Sequence, residues 1–208
     1  MPPSAAPTAG PEPGQTLAGR LIGGWVPGGA LAGLLLAALA PVLAHRAPPW
    51  FLPCFLLLPA YMLHQFEEHD TDRFRRFVNE TVAGGTEALT PLAVFVINIP
   101  GVWGVLGASL ALAVRVRPGL GLIGVGLVLV NTLVHLGALI KLRRYNPGLV
   151  SAVLLLLPAG IAAGWALVRA GAGGGDMLIG LAAGVLIHVW IVAHMRRRIA
   201  RGAPGRLV

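Results

Sequence analysis

Cysteine is almost missing from this sequence. Cys54 stands alone inside an apolar run, which excludes a disulfide framework and a CxxC metal or redox site. Charge is scarce as well: only 12% of the 208 residues are charged, against 56% hydrophobic, and only eight are acidic. With apolar blocks recurring from Leu21 to His194, that balance excludes a soluble domain and describes a polytopic membrane protein. Lysine is nearly absent too, with fifteen arginines to the single Lys141. Together with abundant Ala, Gly and Val, this reads as codon bias from a GC-rich bacterial genome. A net charge of +8 would point to nucleic acid in a soluble protein, but here the basic residues sit in short connections and the tail, where lipid headgroups lie. No nucleic-acid partner is expected.

What is present is an all-α, polytopic transmembrane helical bundle of about six spans, since lipid-exposed backbone must satisfy its own hydrogen bonds. Residues 1–20 are expected to be a disordered, Pro- and Gly-rich tail, 21–195 the transmembrane domain and 196–208 a basic tail. The spans fall at about Leu21–Ala44, Trp50–His64 or a turn further, Leu89–Val114, Leu120–Ile140, Leu149–Val168 and Met177–His194. The first is too long for a signal-peptide core and lacks a basic region before it, so it reads as a retained anchor.

Six spans put both termini on one side. That side carries Arg20, Arg73, Arg75, Arg76, Lys141, Arg143, Arg144, Arg196, Arg197, Arg198, Arg201 and Arg206; the other carries Arg46, Arg115, Arg117 and Arg169. The positive-inside bias therefore predicts both termini in the cytoplasm and a multi-pass protein of the inner membrane.

In this topology the polar residues of the spans gather at the cytoplasmic face. His64, Glu67, Glu68 and His69 close the second span, Asn131 and His135 the fourth, Tyr145 and Asn146 follow it, and His188 and His194 approach the end of the sixth. At ~100° per residue, Glu67 and Glu68 lie roughly 60° and 40° to either side of His64, whereas His69 is roughly 140° away. Asn131 and His135, four apart, share a face. Two adjacent carboxylates at the hydrocarbon edge require either a cation or a proton, and both outcomes mark a functional site.

Blander readings hold for several neighbours. His69, Asp70 and Asp72 read as solvated, His45 and His194 as interfacial, and Asn98 as helix glue. The segment TDRFRRFVNE, Thr71 to Glu80, reads as a short interfacial helix that could lid the site. GLGLIG at 119–124 matches GxGxxG but opens a span with no strand before it, so it is packing surface, as are Gly160 with Gly164 and Gly180 with Gly184. HQFEEH carries one residue too many for the HxxEH zinc-protease order.

The order His64-Gln65-Phe66-Glu67-Glu68, then Asn131 to His135 as NxxxH, then Tyr145-Asn146-Pro147-Gly148, resembles the HXXEE family of small integral membrane proteins over roughly residues 50–195. The resemblance implies a multi-span helical protein with a suspected membrane enzyme activity, and carries over His64, Glu67, Glu68, Asn131, His135, Tyr145, Asn146, Pro147 and Gly148.

The expectation is a membrane enzyme acting on a lipid or isoprenoid-like substrate at the cytoplasmic leaflet. His64, Glu67, Glu68, His135 and His188 are candidate ligands for a divalent metal, zinc, iron or manganese. Glu67, Glu68, Asn131 and Tyr145 are candidate catalytic groups, and Asn146, Pro147 and Gly148 the turn that shapes the site. Without metal, the paired carboxyls could do acid and base work. The alternative is a proton- or metal-ion-coupled transporter, disfavoured because polar residues are missing from the outer half of the spans. Oligomeric state is left open.

Overall fold

The computed structural model describes residues 16–202. Most of the tail expected over 1–20, and the end of the basic tail at 203–208, lie outside the described residues. Helix α1 (Leu17–Leu43) starts four residues before the expected boundary, because the Thr16 hydroxyl accepts the Gly19 N–H (3.0 Å) and caps it. Helix α2 (Phe51–His69) runs a turn past His64, so all of HQFEEH is helical.

Beyond α2 the chain reverses sharply. Thr71 and Asp72 both take positive φ (52° and 63°), which costs about 1–3 kcal/mol each for residues with a Cβ. Arginine side chains hold the turn: Arg73 and Arg76 donate to the carbonyls of Asp70 (3.0 Å) and Thr71 (2.8 Å), and Arg75 pairs with the Asp72 carboxylate. A short helix, α3 (Arg73–Phe77), then continues as a wide turn over Val78–Val82. It packs Val78, with Phe74 and Phe77 beside it, on Ala88, Leu89 and Val94.

Four longer helices follow: α4 (Pro91–Arg115), α5 (Pro118–Leu142), α6 (Leu149–Arg169) and α7 (Gly174–Ala200). Within α4 the ladder widens to π geometry over Ile97–Trp103, around Pro100, which has no N–H to offer a preceding carbonyl. Another π stretch, Ala152–Leu156, precedes Pro158 in α6. Among the described residues there is no strand.

Five helices, α1 and α4 to α7, are long and apolar enough to cross a membrane; α2 falls short by composition because its last turns are polar. Instead α2 is the centre of the bundle, touching α1, α4, α5 and α6. Trp50, Leu57, Leu106, Val125, Leu156 and Leu167 fill the apolar core around it. Leu34, Ile140, Leu154 and Leu186 point outward and exposed, a surface suited to lipid. The tightest helix pair is α5 with α7. A Cβ added to Gly126, Gly180 or Gly184 would overlap a backbone carbonyl of the other helix, so these glycines permit the contact.

Both described ends sit at one face of the bundle. Trp25, near the start of α1, packs on His69 (ring centroids 5.2 Å apart), and Arg198, near the end of α7, donates to the Glu87 carbonyl (3.0 Å). The end of α2, and with it the polar cluster, lies at that face.

Candidate metal centre

His64 and Glu68 lie one turn apart on α2, and His135 faces them from α5. The Glu68 carboxylate stands 3.5 Å from His64 Nε2 through Oε2 and 3.6 Å from His135 Nε2 through Oε1. All three residues are buried, and their ligand atoms lie within 4.8 Å of one another. Bonds of about 2.0 Å to a tetrahedral zinc place ligand atoms about 3.3 Å apart. The two carboxylate–imidazole separations, made through different oxygens of Glu68, are within a few tenths of an ångström of that, and three donors would leave a coordination position open.

Neighbours fix the tautomers and rotamers of the two imidazoles. Asn146 Nδ2 donates to the His135 carbonyl (3.1 Å), which orients the amide so that its Oδ1 accepts from His135 Nδ1 (2.7 Å). His135 thereby presents the Nε2 lone pair to the centre. His64 Nδ1 meets the Ser151 hydroxyl (2.9 Å) and its Nε2 meets Asn131 Nδ2 (3.1 Å), so that amide must swing aside to admit a cation. Gly148 closes the centre from the Asn-Pro-Gly turn. At φ +90°, a Cβ there would lie 2.8 Å from Cε1 of both His64 and His135.

A sequence profile for proteins of unknown function with an HXXEE motif matches residues 55–163, more than half of the chain. The chain belongs to the HXXEE family. No curated protein and no solved structure matches it.

The two glutamates of the HXXEE motif have separate partners. Glu67 turns away from the centre and accepts hydrogen bonds from Tyr145 Oη (2.7 Å) and from the N–H groups of Val150 (3.2 Å) and Ser151 (2.6 Å). It anchors the first turn of α6, where unpaired N–H groups and the helix dipole favour a carboxylate. The structure therefore does not bring Glu67 together with His64 and Glu68, as the sequence led one to expect: its oxygens are engaged by Tyr145, Val150 and Ser151. Glu68 instead sits among imidazoles. The adjacent carboxylates have separate partners: Glu67 meets the N–H groups at the start of α6, and Glu68 meets His69 Nε2 at 3.1 Å.

His69 also differs from expectation. It is buried, and its Nε2 lies 3.1 Å from Glu68 Oε2, because α2 stays helical to its end and Trp25 covers the ring. His188 stands outside the His64–Glu68–His135 group. Its Nδ1 donates to the Gly184 carbonyl (2.8 Å), and its Nε2 faces Asn131 Oδ1 (3.3 Å), so it reaches the centre only through that amide. Tyr145 lies on the surface against Glu67, away from the ligand atoms. Partial desolvation, then the hydrogen bond to Glu67, holds its phenol above the ordinary range, which keeps it a donor. His194 stacks on Trp190, remote from the cluster.

Gln65 was not singled out by the sequence. It is fully buried, donates to Asn98 Oδ1 (2.7 Å) and accepts from Trp103 Nε1 (2.6 Å), tying α2 to the wide turn of α4. Its signal was an amide inside a span with another amide, Asn98, in the next: buried amides in lipid find each other.

Beside the centre lies a cavity of about 220 Å³. Its polar lining includes Glu68, His69, Asn131, His135 and His188, and Leu127, Val94 and Ile187 are typical of the apolar remainder, which is the larger part.

Proposed function

We propose that the protein is an integral membrane enzyme whose His64–Glu68–His135 centre holds a divalent metal and acts on a lipid-like substrate from the cytoplasmic leaflet. The observation that carries this reading is the juxtaposition of three buried donors, with an open position, and an apolar cavity at the same wall. Two imidazoles and one carboxylate suit zinc, iron or manganese, and a bound ion would supply Lewis acidity. The chain's own residues account for the rest. Asn146, Ser151 and Asn131 orient the imidazoles, His69 holds the carboxylate of Glu68, and the cavity's apolar lining selects a hydrocarbon and keeps bulk water out.

A transport role is less well supported. From the Tyr61 and His64 layer toward the opposite face, the interior is filled by Leu57, Cys54, Leu106, Leu156 and Trp50, and the buried Ser109 hydroxyl there is engaged by the backbone of Leu120, Gly121 and Gly124.

The test is to reconstitute metal-loaded wild type and Glu68→Gln in liposomes of total membrane lipid extract. The enzyme reading predicts a change in lipid mass spectrum that requires Glu68. Glu68-dependent flux of protons or metal into the liposomes, with every lipid mass unchanged, would replace it by transport.

A further inference from the structure

A second recess opens on the surface next to the metal centre, and its chemistry is the opposite of the cavity's. It has a volume of about 400 Å³ and is lined by Arg73, Arg76 and Arg144, with Tyr145, Phe77 and a single acidic residue, Glu80. Three guanidinium groups against one carboxylate leave an excess of positive charge. Arg76 and Arg144 are not spent on carboxylates: Arg76 donates to the Thr71 carbonyl (2.8 Å), and Arg144 to the Thr81 hydroxyl (2.5 Å) while lying over the Phe77 ring (5.4 Å). Arg73 is shared with Asp70 at 3.5 Å. Each guanidinium has five N–H donors, so these bonds leave donors over for an anion.

The recess and the cavity share walls. Phe77 lines both, and the consecutive residues Asn146 and Pro147 line the cavity and the recess respectively. The Asn-Pro-Gly turn that orients His135 is thus also the partition between the basic surface and the apolar interior. A molecule reaching past this turn would have an anionic end among arginines and a hydrocarbon end in the cavity, whose wall includes Glu68 and His135.

We propose that the substrate is an anionic amphiphile carrying a phosphate group, its headgroup held by Arg73, Arg76 and Arg144 and its chain in the cavity between α2, α4, α5 and α7. This deepens the reading of the His64–Glu68–His135 centre given above and rests on it for the claim that the bound molecule is a substrate. The recognition itself is separate, a matter of charge at the recess and hydrocarbon in the cavity.

The test measures binding to the purified full chain in an uncharged detergent, by native mass spectrometry and by the shift in thermal unfolding midpoint. The probes are dioleoylphosphatidate, dioleoylglycerol, which has the same chains without phosphate, and inorganic phosphate. Wild type is expected to bind phosphatidate at least about tenfold more tightly than dioleoylglycerol, and Arg76→Gln with Arg144→Gln to remove about tenfold to thirtyfold of that affinity. The double Arg→Lys variant keeps the charge and retains part of it, which separates recognition from any loosening of the fold. Arg197→Gln with Arg201→Gln, on the exposed end of α7, leaves binding unchanged. Equal affinity for the two lipids, or an equal loss from the α7 variant, overturns the proposal. So does inorganic phosphate binding as tightly as phosphatidate, which would make the recess a site for a free anion. Wild type without metal but with phosphate-selective binding defeats the metal reading alone; metal without phosphate selectivity defeats this inference alone.

Discussion

His135 and Asn146 exchange two hydrogen bonds: the ring Nδ1 donates to the amide oxygen at 2.7 Å, and the amide nitrogen donates back to the His135 carbonyl at 3.1 Å. The loop after α5 is thereby latched to the helix it leaves, and one imidazole is fixed with Nε2 toward Glu68. Asn146→Ala removes both bonds. Zinc affinity is expected to fall by about 10- to 100-fold, as for other groups that orient a ligand. Competition against a chromogenic chelator measures it, and unchanged affinity would mean that the latch does not orient the ring.

Gly148 and Gly85 make an internal comparison. Both have φ +90°, but a Cβ on Gly85 meets nothing within 4 Å, whereas one on Gly148 meets both imidazoles at 2.8 Å. Gly85→Ala should cost only the backbone strain, about 1–2 kcal/mol. Gly148→Ala should add about 1–3 kcal/mol of overpacking and weaken metal binding as well. Thermal unfolding with and without added zinc distinguishes them; equal effects of the two substitutions would contradict the close contact over the centre.

Glu67→Ala is expected to leave metal binding intact and to loosen the junction between α5 and α6. Loss of a carboxylate that accepts two backbone N–H groups at a helix start costs about 0.5–2 kcal/mol. Faster proteolysis at residues 143–149 in the variant would report it. An equal cleavage rate would show that the anchor is dispensable.

Much of this arrangement was legible in the sequence. Apolar blocks between short basic connections located six helices, and the spacing of His64 with Glu68 and of Asn131 with His135 put the right pairs on single faces. Less was legible about Glu67 and His69, because angles on one helix do not say what stands opposite. The start of α6 meets Glu67 and claims its carboxylate, while Trp25 of α1 covers His69 and buries a residue that looked solvated. Likewise the wide turn around Pro100 aims Asn98 at Gln65, a tertiary match that no periodicity reports.

The most direct measurement is elemental analysis of detergent-purified wild type beside Glu67→Gln and Glu68→Gln. One metal ion per chain in wild type and in Glu67→Gln, with none in Glu68→Gln, is the predicted result. Metal lost equally from both variants, or absent from all three proteins, would contradict a centre built from His64, Glu68 and His135.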